Sequence, residues 1–251
     1  MRAADLFTSV QSICHIGVMD KKGHTYSGTA FFVTETLLLT AGHLVPDGKR
    51  KIIAQKPGSI WCEVLVDSMF KKDPPCQVIP CKFVGSGHSR VDLAVIQVEP
   101  PFKATHIMKI SQQRVRSGQG IDVIGYVGDY GSHYIRRMHG GDPRRDDFDA
   151  VHLLFPKGCL IVSYGAIEAT GNELTYAAST VKGMSGGPIV YNGDAIGMSV
   201  KNAEFDKGVH MGHCGVPRTT ANKAVAFEWD EVWDLLKRFG VVGGNGSQIR
   251  N

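Results

Sequence analysis

Three short stretches of the chain hold residue types that together can cleave an amide bond. Leu37-Leu38-Leu39-Thr40-Ala41-Gly42-His43 carries an apolar run out to a histidine just past its end. Val91-Asp92-Leu93-Ala94-Val95-Ile96 sets an acid at the mouth of a second apolar run. Gly183-Met184-Ser185-Gly186-Gly187-Pro188 places a serine among glycines ahead of a third. A serine hydroxyl is a weak nucleophile at neutral pH and needs a base within hydrogen-bond reach. An imidazole can take that proton and return it to a leaving amine, because it titrates near neutrality. A carboxylate on the far ring nitrogen fixes the tautomer and stabilises the imidazolium. Glycines around Ser185 let the backbone turn tightly, so that the amides of Gly183 and Ser185 can converge on a developing oxyanion.

Each stretch alone has an ordinary reading. A histidine after a strand is commonly structural, an aspartate before a strand is commonly a turn residue, and a glycine-rich hexapeptide can be a turn. The three together, in the order His43, Asp92, Ser185, are the expected catalytic set. The gaps between them leave room for one half of the chain to hold the histidine and the acid and a second half to hold the serine.

The elements that must position these residues read as β-strands. Ile13–Met19, 30–34, Leu37–Thr40, 52–55, 60–66, 77–84 and 93–98 are short runs rich in Val, Ile and Phe, bounded by turn residues. Glu99-Pro100-Pro101 stops strand pairing, since proline has no N–H and restricts its predecessor. It opens a connector that reaches Gly120. A second set follows at 122–127, 159–164, Glu173–Ala178, 188–190, 195–200 and 209–211. Closely spaced strands with little helix between them predict a sandwich or barrel. Apolar residues at Val225, Phe227, Val232, Trp233, Leu235, Leu236 and Phe239 predict an amphipathic helix over 224–239. The Gly243-Gly244-Asn245-Gly246-Ser247 tail is expected to be flexible. A polar insertion at 128–149 is expected to be a long surface loop, with a cover over a substrate groove as its sharper alternative.

Composition narrows the class. The 251 residues are 43% hydrophobic and 21% charged, which excludes a disordered or collagen-like chain. Thirty glycines and eleven prolines suit a turn-rich β protein. A net charge of +4, spread in small clusters such as Lys49-Arg50-Lys51, argues for solvated surface, and no nucleic-acid partner is expected. No apolar run reaches the length of about 18 residues that a membrane helix needs. Residues 1–14 lack a secretory pattern, so the chain is expected inside a cell, with its six cysteines as reduced thiols. His210, His213 and Cys214 are zinc-type ligands without an evident fourth partner, so neither a metal nor a cofactor is expected.

The strings Thr40-Ala41-Gly42-His43, Val91-Asp92-Leu93-Ala94 and Gly183-Met184-Ser185-Gly186-Gly187-Pro188 resemble the three signatures of the chymotrypsin-like serine peptidases. The resemblance runs from about Ser27 to Val200. It implies an all-β fold of two antiparallel six-stranded β-barrels with a C-terminal helix, and the three residues in the cleft between the barrels. The corresponding division is 1–110 for the barrel with histidine and aspartate, 111–223 for the barrel with serine, and 224–251 for the helix and tail. Met184 stands where secreted digestive enzymes have an aspartate, and the cysteine bridge that brackets their histidine is missing. The pattern is more similar to bacterial high-temperature-requirement proteases, staphylococcal glutamyl endopeptidase and the proteases of positive-strand RNA viruses. Thr180-Val181-Lys182-Gly183-Met184-Ser185-Gly186 is similar to the corresponding string of sobemovirus and polerovirus polyprotein proteases.

By the same resemblance, Ser179 and Thr180 form one wall of the pocket for the residue before the cut. Gly197-Met198-Ser199-Val200-Lys201 forms the other, with Ser199, Val200 and Lys201 against the substrate. Glutamate- and glutamine-cleaving relatives have a histidine where Ser199 stands, so an acidic preference is not implied. Lys201, His210 and His213 are candidate replacement donors, with solvent exposure as the ordinary role of each. The expected function is an intracellular serine endopeptidase acting on a protein or peptide substrate. The alternatives are a viral polyprotein-processing protease and a catalytically silent peptide-binding module on the same fold.

Overall fold

Alternating burial along short strands builds two closed barrels, side by side. The structure is a computed structural model that describes residues 9–45, 58–65, 76–87, 91–128, 153, 155–171, 173–201 and 222–243. The first barrel comprises β1 (Ile13–Met19), β2 (Thr25–Phe32), β3 (Leu37–Thr40), β4 (Ile60–Leu65), β5 (Cys76–Ser86) and β6 (Ala94–Val98), in the ring order β1-β2-β3-β6-β5-β4. The second comprises β7 (Gly120–Tyr126), β8 (Leu160–Ala169), β9 (Glu173–Ala178), β10 (Pro188–Tyr191), β11 (Asp194–Lys201) and β12 (Asn222–Ala226), in the ring order β10-β11-β12-β9-β8-β7. Every pairing between these strands is antiparallel. Closure leaves no open sheet edge in either barrel.

The interiors explain which runs became strands. Phe31, Phe32, Leu38, Leu39, Val95 and Ile96 are essentially inaccessible in the first barrel. Ile121, Val123, Tyr176 and Ile189 fill the second. A two-residue turn joins β10 to β11, with positive φ at Asn192 (53°) and Gly193 (88°). That Asn-Gly conformation matches the twist of the flanking strands. Cys14, Cys62 and Cys81 are free thiols inside the first barrel. Hydrogen bonding among them, with burial, holds the Cys62 and Cys81 thiols far above their ordinary range, which makes them inert. Cys76 and Cys81 both lie on β5.

The connector after Val98 is ordered. It packs Phe102 on Phe32, then donates from Met108 N to Phe32 O. It reaches the second barrel at a parallel bridge between Ile110 and Ala195. The helix α1 (Asp230–Arg238) follows β12 and buries Val232, Leu235 and Leu236. The Phe239 ring lies against Gly85 of β5, where there is no room for a side chain at position 85. The end of the second barrel is thereby tied to the first.

Two sequence expectations need correction. The helix expected over 224–239 begins only at Asp230, because Asn222–Ala226 is the sixth strand of the second barrel. Its Ala-Val-Ala run has no period that separates strand from helix, and pairing with β11 and β9 decides it. The run expected at 30–34 is shifted, since β2 starts at Thr25 and ends at Phe32. Its first three residues, Thr25, Tyr26 and Ser27, are exposed, so they form no apolar run. The runs expected at 52–55 and 209–211, the insertion from residue 129 to 149, His210, His213, Cys214 and the tail from residue 244 lie outside the described residues. No described helix is long and apolar enough to cross a membrane.

Candidate active site

Strand register brings the first two candidate residues together. Thr40 pairs with Ala94 in the antiparallel β3–β6 ladder. The chain leaving β3 and the chain entering β6 therefore emerge at the same barrel end. His43 follows Thr40 on a short 3-10 turn, Gly42–Leu44, and Asp92 precedes Ala94. Asp92 Oδ2 lies 2.7 Å from His43 Nδ1, and Asp92 Oδ1 accepts the backbone amide of His43, also at 2.7 Å. A carboxylate only accepts, so Nδ1 carries the ring proton and Nε2 is left as the basic nitrogen. A Cβ at Gly42 would stand 3.0 Å from Asp92 Oδ1 and 3.1 Å from Leu93 N, which is tight for any side chain. The pair is half-exposed, with side-chain accessibilities of 44% for His43 and 35% for Asp92. Substrate can reach the ring.

Ser185 sits on the turn between β9 and β10, at the seam of the two barrels. Its carbonyl accepts the amide of Thr29 in β2 at 2.9 Å. A Cβ at Gly186 would fall 2.9 Å from Ala41 N and would also collide with Thr29 O. A Cβ at Gly28 would meet both Leu44 and the Ser185 carbonyl. The serine turn thus abuts Ala41, just before the His43 turn, and Gly28 lies between it and Leu44. No hydrogen bond joins the His43 ring to the Ser185 hydroxyl among the described contacts. Such bonds are often loose without substrate and tighten in the complex.

The turn presents two amides with no partner among the described residues, those of Gly183 and Ser185. Their orientation follows from the carbonyls before them. Lys182 O accepts Gly128 N at 2.8 Å, and Met184 O accepts Gly187 N at 3.0 Å. In a planar trans peptide the N–H points away from the preceding C=O. Both carbonyls are held back into the second barrel, so both N–H groups face outward. Gly183 adopts φ 98°, and a Cβ there would strike the amide of Gly128. Only glycine fits that backbone.

Behind the turn lies a buried polar network. The Tyr176 hydroxyl is 2.8 Å from Ser199 Oγ. Thr180 Oγ1 donates to Asn222 Oδ1 at 2.9 Å, and Asn222 Nδ2 donates to Ala178 O at 3.0 Å. All four side chains are buried. Ser199 is also tied to the serine turn by its backbone, with Gly186 N donating to Ser199 O at 2.7 Å and Ser199 N to Gly187 O at 2.8 Å. The residues expected as pocket walls are thus adjacent. Ser179 is partly exposed and Val200 buried, while Thr180 and Ser199 turn their hydroxyls into the network. Lys201 closes β11 opposite Lys223. Burial holds the Tyr176 phenol above its ordinary range, and hydrogen bonds from Ser199 and Thr180 offset this only partly.

Sequence reasoning missed Thr29, Tyr176 and Asn222. Each acts through hydrogen bonds to residues distant in the chain, and none stands in a motif. The Tyr126 ring packs on His15 at 5.6 Å between centroids, where the barrels meet. Among the described residues, no cluster of three His, Cys, Asp or Glu side chains has the geometry to hold a metal ion.

Residues 28–198 match the family model described as the trypsin-like peptidase domain. No curated protein sequence matches the chain. Among solved structures, the chain is similar to the Rv3671c protease from M. tuberculosis in its active form, with a TM-score of 0.60 and 15% identity over 96% of this chain and 86% of that one. It is also similar to the serine endoprotease from Yersinia pestis, with a TM-score of 0.59 and 16% identity over 94% of this chain. There it spans only 65% of the other chain. At these identities the likeness establishes the double-barrel fold alone.

Proposed function

From the premise that the chain belongs to the trypsin-like peptidase domain family, we propose that it is a serine endopeptidase using His43, Asp92 and Ser185. The observation that carries the reading is the double grip of Asp92 on His43, which leaves Nε2 as the base beside the serine turn. His43 Nε2 takes the hydroxyl proton as Ser185 Oγ attacks the substrate carbonyl carbon. The Gly183 and Ser185 amides receive the oxyanion of the tetrahedral intermediate. Collapse breaks the C–N bond, and His43 returns the proton to the departing amine. Water then attacks the acyl-enzyme with His43 again as base. The peptide acid leaves and Ser185 recovers its proton.

The polar network beside the turn consists of hydroxyl, phenol and carboxamide groups and contains no charge. It favours an uncharged side chain before the cut. The Thr180-Val181-Lys182-Gly183-Met184-Ser185-Gly186 string supports site-specific processing within a cell, with cleavage of the protein's own flanking sequence as its viral form.

A fluorophosphonate probe tests the chemistry. Wild type becomes labelled on Ser185 and Ser185→Ala does not; labelling that survives the alanine change defeats the assignment. A peptide library then reports side-chain preference. Binding of peptides without turnover, unaffected by Ser185→Ala, points instead to a silent binding module. Expression with native flanks separates self-processing from action on other proteins, since release must then depend on Ser185.

A further inference from the structure

We propose that Thr29 is a positioning residue for the oxyanion-binding turn, setting the Gly183–Met184 and Ser185–Gly186 peptide planes through its hydroxyl and its amide. The proposal rests on the reading of Ser185 as the nucleophile.

Thr29 is completely buried in β2, and its hydroxyl and amide reach across to the second barrel. Its Oγ1 donates to Gly183 O at 2.8 Å. The same oxygen accepts Tyr126 N at 2.8 Å. Its N–H donates to Ser185 O at 2.9 Å. Its carbonyl accepts Thr40 Oγ1 at 2.8 Å. A hydroxyl has one proton, and Tyr126 N–H can only donate, so the Oγ1 proton must point at Gly183 O. The arrangement has one sense.

Its consequence appears along the turn. The carbonyls of Lys182, Gly183, Met184 and Ser185 are all engaged, and their partners alternate. Lys182 and Met184 are held by amides of the second barrel, Gly183 and Ser185 by Thr29 of the first. The first pair aims the two outward amides. The second pair locks the plane between those amides and the plane just after Ser185, without which the turn can rotate. Rotation is otherwise cheap at Gly183, which has no Cβ to resist it. Thr29 also joins the barrels at this point, through Gly183, Ser185 and Tyr126, while Thr40, three residues before the histidine, holds its carbonyl. The hydroxyl does not touch a substrate in this arrangement. It acts through the direction of two amides.

The test is Thr29→Val, which keeps the branched shape and removes both hydrogen bonds of Oγ1. Thr29→Ser restores the hydroxyl. Kinetics are read on a library-selected peptide, together with inhibition by the matching peptide aldehyde, which forms a tetrahedral oxyanion on a serine enzyme. In folded Thr29→Val, kcat falls roughly 10- to 100-fold and aldehyde affinity falls in parallel. KM stays within about twofold, and Thr29→Ser recovers most of kcat. Folded Thr29→Val with unchanged kcat, a change confined to KM, or serine failing to rescue overturns the proposal. If the valine protein does not fold, Thr29→Cys, a poor donor of similar size, is read by the same criteria. Failure of both to fold makes Thr29 purely structural and also overturns it. Wild type inert to fluorophosphonate defeats the nucleophile reading, whereas reactive wild type with an equally reactive Thr29→Val defeats only the role of Thr29.

Discussion

Asp92 holds His43 at two points, the ring through Oδ2 and the backbone amide through Oδ1, each at 2.7 Å. A single carboxylate therefore fixes both where the histidine turn sits and which way its ring faces. No neutral isostere can do both, because the two contacts each demand an acceptor.

Asp92→Asn tests this. A carboxamide has one acceptor oxygen, so either the ring or the backbone amide of His43 meets an NH2 group. If the ring does, Nε2 carries the proton and cannot act as base. The expected result is a fall in kcat of about 10⁴-fold with little change in KM. Steady-state kinetics on a cleaved peptide check it, and a fall below about tenfold sets Asp92 aside as the orienting group.

Gly186→Ala should damage the fold as well as the activity. The residue has φ 88°, and its Cβ would strike the Thr29 carbonyl and crowd Ala41 N. Strain of this kind costs about 1–2 kcal/mol before any collision is counted. The melting temperature should drop by at least about 2 °C. Gly171→Ala is the control, since its nearest neighbour is 4.0 Å away and its φ is unexceptional; its effect should stay within about 0.5 kcal/mol. Equal melting of the two variants would contradict the packing of the serine turn.

Asn222→Ala should loosen the wall beside the turn. It withdraws the acceptor for Thr180 Oγ1 and a donor to Ala178 O in a fully buried setting. Each buried polar group deprived of a partner costs about 1–3 kcal/mol, so a loss of about 2–4 kcal/mol is expected. Urea unfolding measures it. A loss under about 0.5 kcal/mol would mean that the network contributes little to stability.

Alkaline pH should expose the buried phenol. Burial raises the Tyr176 ionisation in the folded state, so the folded protein keeps this proton where the unfolded chain loses it. The stabilisation is complete below the unfolded tyrosine range near pH ~10 and is lost as pH rises beyond it. The loss for one such group is about 1.4 kcal/mol per pH unit while the folded phenol stays protonated. Tyr176→Phe should flatten the fall of stability with pH by that amount, read from urea midpoints at successive pH values. An unchanged slope would contradict a protonated Tyr176.

Much of the arrangement is legible in the sequence. Apolar runs with turn residues between them marked most strands, because burial inside a barrel imposes hydrophobicity locally. Pro100-Pro101 marked the end of the first barrel, since β6 stops at Val98. β12 was not legible, because its small apolar residues fit a helix as well as a strand and only pairing with β9 and β11 selects between them.

Residue identity alone determined which side chains could act as acid, base and nucleophile, and which glycines the serine turn would need. Those properties are local: a hydroxyl, an imidazole or a missing Cβ is written at one position. Tertiary structure decided what holds them. Thr29 reaches Gly183 across 154 positions and Tyr126 across 97. Tyr176 meets Ser199 across 23. A hydrogen bond between such residues leaves no period and no motif in the chain, so it exists only once two barrels have closed against each other.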